Sequence, residues 1–145
     1  MIFTKQAGKY DLLEIVRADG STERIDCPKQ RIIPHDMVHY AVEKILGARG
    51  FMRAIGAGEA VAYAPMKEVE AESVERLVET MQADAWGAPG TAADLLDLYR
   101  LTCGARGHEA MSVDTAAVEA IRDEIMRLQL MWDDVPTGGT LELRF

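Results

Sequence analysis

The chain is short of basic residues, of cysteine and of long apolar runs, and each shortage closes off a class of function. Lys and Arg together number 16 against 24 Asp and Glu, a formal net charge of −8. The clustered cations that neutralise nucleic-acid phosphates are therefore missing, and an anionic membrane surface repels such a chain. No stretch approaches the ~20 apolar residues that cross a bilayer. The N-terminus, MIFTKQAGKYDLL, has no basic segment followed by a long apolar one. A cytoplasmic protein with no nucleic-acid and no membrane partner is expected. The two cysteines, Cys27 and Cys103, lie far apart without CxxC spacing, which predicts reduced, partly buried thiols rather than a redox or zinc-ribbon pair.

What is there is enough to fold. With 145 residues, 48% of them hydrophobic and 28% charged, the chain fits one domain, residues 1–145, that buries roughly two thirds of its unfolded surface. Ile2 and Phe3 begin a short apolar piece. Tyr10 to Arg17 is rich in strand-forming residues, Asp19-Gly20 supplies the positive φ of a hairpin turn, and Ile25 and Cys27 then alternate with Arg24 and Asp26. At the other end, Leu141, Leu143 and Phe145 alternate with Thr140, Glu142 and Arg144, the period of a half-buried strand. The expected fold is α+β, a small antiparallel sheet of hairpin plus C-terminal strand packed with four or five helices.

The first helix is expected over 33–47. Pro34 suits its first position, Asp36 faces the positive end of the helix dipole, and Gly47 ends it. Val38, Ala41, Val42 and Ile45 form its apolar stripe. Phe51 to Tyr63 reads as a glycine-broken helix or a close packing contact, since Gly56-Ala57-Gly58 lacks the rest of a phosphate-binding loop. Pro65 opens the next helix, with Val69, Val74, Leu77, Val78 and Met81 inward and Glu68, Glu72, Glu75, Arg76 and Glu79 as its solvated face. Thr91 and Asp94 cap a fourth segment, whose surrounding leucines make it the expected most buried helix. In the last helix Val118, Ile121, Ile125, Leu128 and Trp132 form a core stripe; the face around Ile121, Ile125 and Leu128 is also the candidate surface for a protein partner or a second copy.

Chemistry is suggested at one place. Two of the three histidines, His35 and His39, stand four residues apart in HDMVH, which puts both imidazoles on one helix face. They are the candidate metal ligands, for a divalent ion such as zinc. Asp36 and Glu43 are candidate catalytic or further-ligand carboxylates. Because positions eight apart on a helix are separated by about 12 Å of rise, Glu43 and His35 do not share one ion, and a site would use His35 with His39 or His39 with Glu43. Further ligands must come from elsewhere, and His108, Glu109, Cys103, Cys27 and the Asp133-Asp134 pair are the candidates.

The HDMVH spelling partially resembles the HExxH motif of zinc metallopeptidases, with Asp36 where that family has Glu; the resemblance implies metal binding and not the peptidase activity. The longer string PHDMVHYAVE, preceded by a hairpin and followed by Gly50-Phe51, is similar to a group of small uncharacterised bacterial proteins. That similarity implies a hairpin feeding directly into the histidine helix and carries no activity with it. Two readings of function are expected to compete: a divalent-metal protein, enzyme or not, and a non-enzymatic regulatory or interaction module.

Overall fold

A computed structural model describes residues 1–48, 50–56 and 69–145. Strands β1 (Ile2–Thr4), β2 (Tyr10–Val16) and β3 (Thr22–Pro28) come first. Helices α1 (His35–Leu46), α2 (Phe51–Gly56), α3 (Val69–Trp86), α4 (Ala92–Ala105) and α5 (Thr115–Asp133) follow, and β4 (Thr140–Glu142) closes the chain. The α+β class and the antiparallel sheet agree with the sequence pattern. The Gly56-Ala57-Gly58 segment beyond Gly56, and Pro65 with Glu68, fall outside the described residues.

The sheet order is β3-β2-β1-β4. The expected hairpin is present: Tyr10 pairs with Pro28 and Val16 with Thr22. Its turn closes through Gly20 at φ 84° and an Asp19 carboxylate that accepts from Ser21 N. The C-terminal strand does not pair with the hairpin directly. The short apolar piece at the N-terminus lies between them, pairing Phe3 with Leu13 on one side and with Leu141 on the other. Phe3, Leu13, Ile15, Cys27 and Leu141 share the buried face. Leu143 is buried as the alternation predicts, but Phe145 is about half exposed. Its ring lies 5.1 Å from that of Tyr40, whose hydroxyl donates to Arg144 O at 2.8 Å.

The helix at the centre is α1, not α4. Every residue from Asp36 to Glu43 is buried, because α2, α3, α5 and β3 all pack on α1. By contrast α4 turns Leu98 and Leu101 outward, 48% and 69% exposed; its leucines go round the helix because one face meets solvent. Pro34 sits at the N-cap of α1 rather than inside it, and Gly47 ends the helix at φ 63°. The capping box of Thr91 and Asp94 is formed, and Asp114 caps α5 by accepting from Ala117 N.

Ile121, Ile125 and Leu128 of α5 lie in the core. The partner face expected around them is therefore turned inward, and the apolar side chains that α5 exposes are Met126, Leu130 and Met131. Arg122, on the same helix, grips the Asp84 carboxylate of α3 with two bonds of 2.9 and 2.8 Å and also donates to Gly90 O. Such a bidentate pair fixes register as well as distance, and it sets α3 against the α1–α5 layer. No helix among the described residues is long and apolar enough to cross a membrane.

Candidate metal centre between α1 and α3

His35 and His39 project from one face of α1 toward α3, as a four-residue spacing requires. Their rings meet edge to face with centroids 4.7 Å apart. The two Nε2 atoms lie 3.1 Å from each other. Opposite them stands Glu75 of α3, with Oε2 at 3.2 Å from His39 Nε2 and Oε1 at 3.8 Å from His35 Nε2. Two ligands held at 2.0–2.2 Å from one ion and about 100–110° apart are separated by roughly 3.1–3.6 Å. The nitrogen–nitrogen edge and the Oε2–His39 edge match that spacing; the 3.8 Å contact to His35 is made by the other carboxylate oxygen, and one ligand atom from each of the three residues lies within 4.8 Å of the others. Among the described residues this is the one group of three His, Cys, Asp or Glu side chains whose ligand atoms converge.

The other ring nitrogens fix which atoms face inward. His35 Nδ1 is bonded to the carbonyl oxygen of Gln82, whose amide nitrogen donates to Gln30 Oε1 at 2.7 Å. In the tautomer that donates from Nδ1 to Gln82, His35 Nε2 offers a lone pair to the cluster. His39 Nδ1 faces Glu43 Oε1 at 3.7 Å. The Gln82 oxygen is hydrogen-bonded to its ring, as the partners that orient metal-binding histidines are, while the Glu43 carboxylate stands at ion-pair distance, beyond a hydrogen bond.

Glu43 is wholly buried, and its placement is built by the chain that follows α1. Its two carboxylate oxygens accept from the backbone N–H groups of Met52 and Arg53, each at 2.9 Å. Burying a carboxylate costs several kcal/mol unless hydrogen bonds compensate, and those to a charged acceptor return ~1.5–3 kcal/mol each. Gly50 makes the approach possible: a Cβ there would stand 2.6 Å from Glu43 Oε1 and 2.8 Å from Val74 Cγ1. The carboxylate thus supports His39 from behind, while Glu75 faces it from the front.

The ionisable groups of the cluster shift one another. Burial by itself pulls the His39 pKa down, but hydrogen bonds and charge from Glu43 and Glu75 outweigh it and raise the group to about 9. Glu75 is shifted the opposite way: burial raises it, and the two histidines overcome that and hold its carboxyl well below the ordinary range. Without a metal, a proton on His39 Nε2 fills the gap between the lone pair of His35 and the carboxylate of Glu75.

The remaining sequence candidates lie elsewhere. Asp36 accepts from the Cys27 thiol at 3.0 Å, and burial, then Asp36, pushes that thiol far above its usual range. Neither is turned to the imidazoles. Cys103 is buried in contact with Ser73 and Tyr99, while His108 makes a 3.3 Å contact with its neighbour Glu109 O. Asp133 accepts from Gln129, and Asp134 caps the end of α5. None joins the pair. Glu75 does, although its place in an acidic run assigned it to the solvated face. The overlooked signal is a helical row: Ala71, Glu75, Val78 and Gln82 follow at intervals of four, three and four. Ala71, Val78 and Gln82 are buried, so the row that meets α1 carries its polar residues where the two histidines wait.

No family model matches this chain, and no curated protein and no solved structure is found that matches it.

Proposed function

We propose that this protein binds a divalent transition-metal ion, zinc or one of similar preference, with His35 Nε2, His39 Nε2 and a Glu75 carboxylate oxygen as ligands. The observation that carries the reading is the 3.1 Å approach of the two Nε2 atoms in front of a carboxylate. Gln82 and Glu43 stand behind the two rings. Imidazole and carboxylate donors without a thiolate suit zinc, iron or manganese rather than a soft ion such as Cu(I). A divalent ion in place of the His39 proton balances the charges of Glu43 and Glu75. Asp36 is withdrawn from any catalytic part, and Glu43 acts as a support for His39 rather than as a ligand.

A second reading takes the same side chains as a metal-free ionic clamp between α1 and α3. The raised pKa of His39, which favours an imidazolium between two carboxylates, is its specific support. Metal analysis of protein purified without a histidine tag, together with melting curves with and without EDTA, separates the two. Metal binding predicts near-stoichiometric metal and a melting temperature that falls on chelation, since an ion bound only by the folded state stabilises it. Substoichiometric zinc, iron, manganese and nickel, with no response to EDTA or added zinc, leaves the clamp.

A further inference from the structure

Resting on that metal reading, we infer that the ion keeps an exchangeable position on its solvent side, and that this position accepts a small oxygen-donor anion of the carboxylate or hydroxamate type. Structural zinc sites are closed by four protein ligands, whereas sites that exchange ligands hold three and leave one side free. Here three side chains converge, and no fourth His, Cys, Asp or Glu joins them among the described residues. Exposure is graded across the group. The His39 side chain is 3% exposed, but those of His35 and Glu75 are 32% and 28% exposed. The His39 side of the ion is closed by protein, and the side between His35 and Glu75 reaches water.

The size of the incoming group follows from the surroundings. Two surface cavities, of about 200 and 250 Å³, are lined by other residues, the first around Lys5, Lys29 and Trp132 and the second around Thr80, Asp84 and Leu98. None of His35, His39 and Glu75 lines either of them. A small anion, or the exposed end of a larger molecule, fits a half-open rim of this kind. The donor set points to oxygen: two nitrogens and a carboxylate leave a borderline-hard ion that takes carboxylate or hydroxamate oxygen readily. Water occupies the position when no such anion is supplied.

Cobalt(II) titration read in the visible absorption spectrum tests the inference on the full chain, with acetohydroxamate as the probe. A first band that saturates at one equivalent of Co²⁺, and is lost in His39→Ala, reports the metal site. Acetohydroxamate is then expected to shift that band saturably, with half-effect at roughly millimolar concentration, in the wild type and equally in His108→Ala, whose imidazole lies outside the cluster. A cobalt spectrum that forms but stays unchanged through tens of millimolar probe overturns the open position and leaves the metal site standing. Absence of any cobalt or zinc binding overturns the metal site and this inference together.

Discussion

Two of the polar contacts of helix α3, at Ser73 and Glu75, lie two residues apart on different faces, and they are built on opposite principles. Ser73 turns to α4: its hydroxyl lies 2.5 Å from Tyr99 OH, and Met111 N donates to both oxygens at 2.8 and 3.0 Å. That group is built from neutral hydroxyls and a backbone N–H, without a charged side chain. Glu75, half-buried, turns to α1 and faces two imidazole nitrogens that stand 3.1 Å apart, so that its charge meets ionisable groups. A neutral polar group of this kind serves packing, whereas a half-buried group of facing ionisable side chains is the place to test for a bound cation.

The sharpest way to break this contrast is to remove the support behind His39. Glu43→Ala leaves the N–H groups of Met52 and Arg53 without their acceptor and opens a hole beneath Gly50. A loss of about 3–5 kcal/mol is expected in urea denaturation, the range for deleting one partner of a buried charged pair. A loss below about 1 kcal/mol would show that the carboxylate is not anchored as described.

Acidity and alkalinity separate the two contacts next. The His39 pKa, about 9 against an ordinary 6.5, means that its contribution to metal-free stability is whole below about pH 6.5 and disappears as pH rises through about 9. Glu75, lowered from 4.5, contributes above that value and loses its contribution as pH falls below it. The metal-free protein is thus expected to be most stable near pH 5–6 and to weaken toward pH 9–10, on the order of 2 kcal/mol from this cluster. Zinc must displace the His39 proton, so its affinity should rise over the interval in which the metal-free stability falls. Melting curves at pH 6, 7.5 and 9, with EDTA and with zinc, measure both trends; parallel curves in the two conditions would contradict them.

A smaller effect is expected from the partner of His35. Gln82→Ala frees the imidazole to turn by removing the side chain bonded to its Nδ1. Zinc affinity should fall about tenfold, the lower end for partners standing behind a metal ligand. Competition against a zinc-responsive dye reads the change, and affinity within twofold of wild type would show that Gln82 does not position the ring.

How far these features were legible in the chain depends on the range of the forces involved. Asp19-Gly20 and the alternation of Ile25 and Cys27 specify a hairpin locally, and Thr91 with Asp94 specifies a helix start, because turns and caps depend on a few neighbouring residues. The His35/His39 spacing is likewise local. The identity of the third side chain is not: Glu75 lies 36 residues beyond His39, and only the packing of α3 on α1 brings it opposite. Its acidic neighbours Glu72 and Glu79 made it look solvated, although the row with Ala71, Val78 and Gln82 marked the other side of the helix. The same limit explains α4 and α5. Leucine content does not say which face is covered, so Leu98 and Leu101 are outside while Ile121 and Leu128 are inside.

The smallest effect is also the control. Tyr99→Phe removes one oxygen from the neutral group but leaves Ser73 Oγ to accept from Met111 N at its 2.8 Å distance, so no backbone donor is stranded. About 1 kcal/mol of stability is expected to be lost, the net value of an ordinary hydrogen bond. Burial holds the Tyr99 phenol above its ordinary 10.0, so the group stays uncharged, and the loss should be the same at pH 6 and pH 9. Zinc affinity should not change. If Tyr99→Phe instead weakens zinc binding more than about threefold, the two polar faces of α3 move together. The proposed metal site would then have to be understood as a property of the whole α1–α3–α4 stack, not of the α1–α3 contact alone.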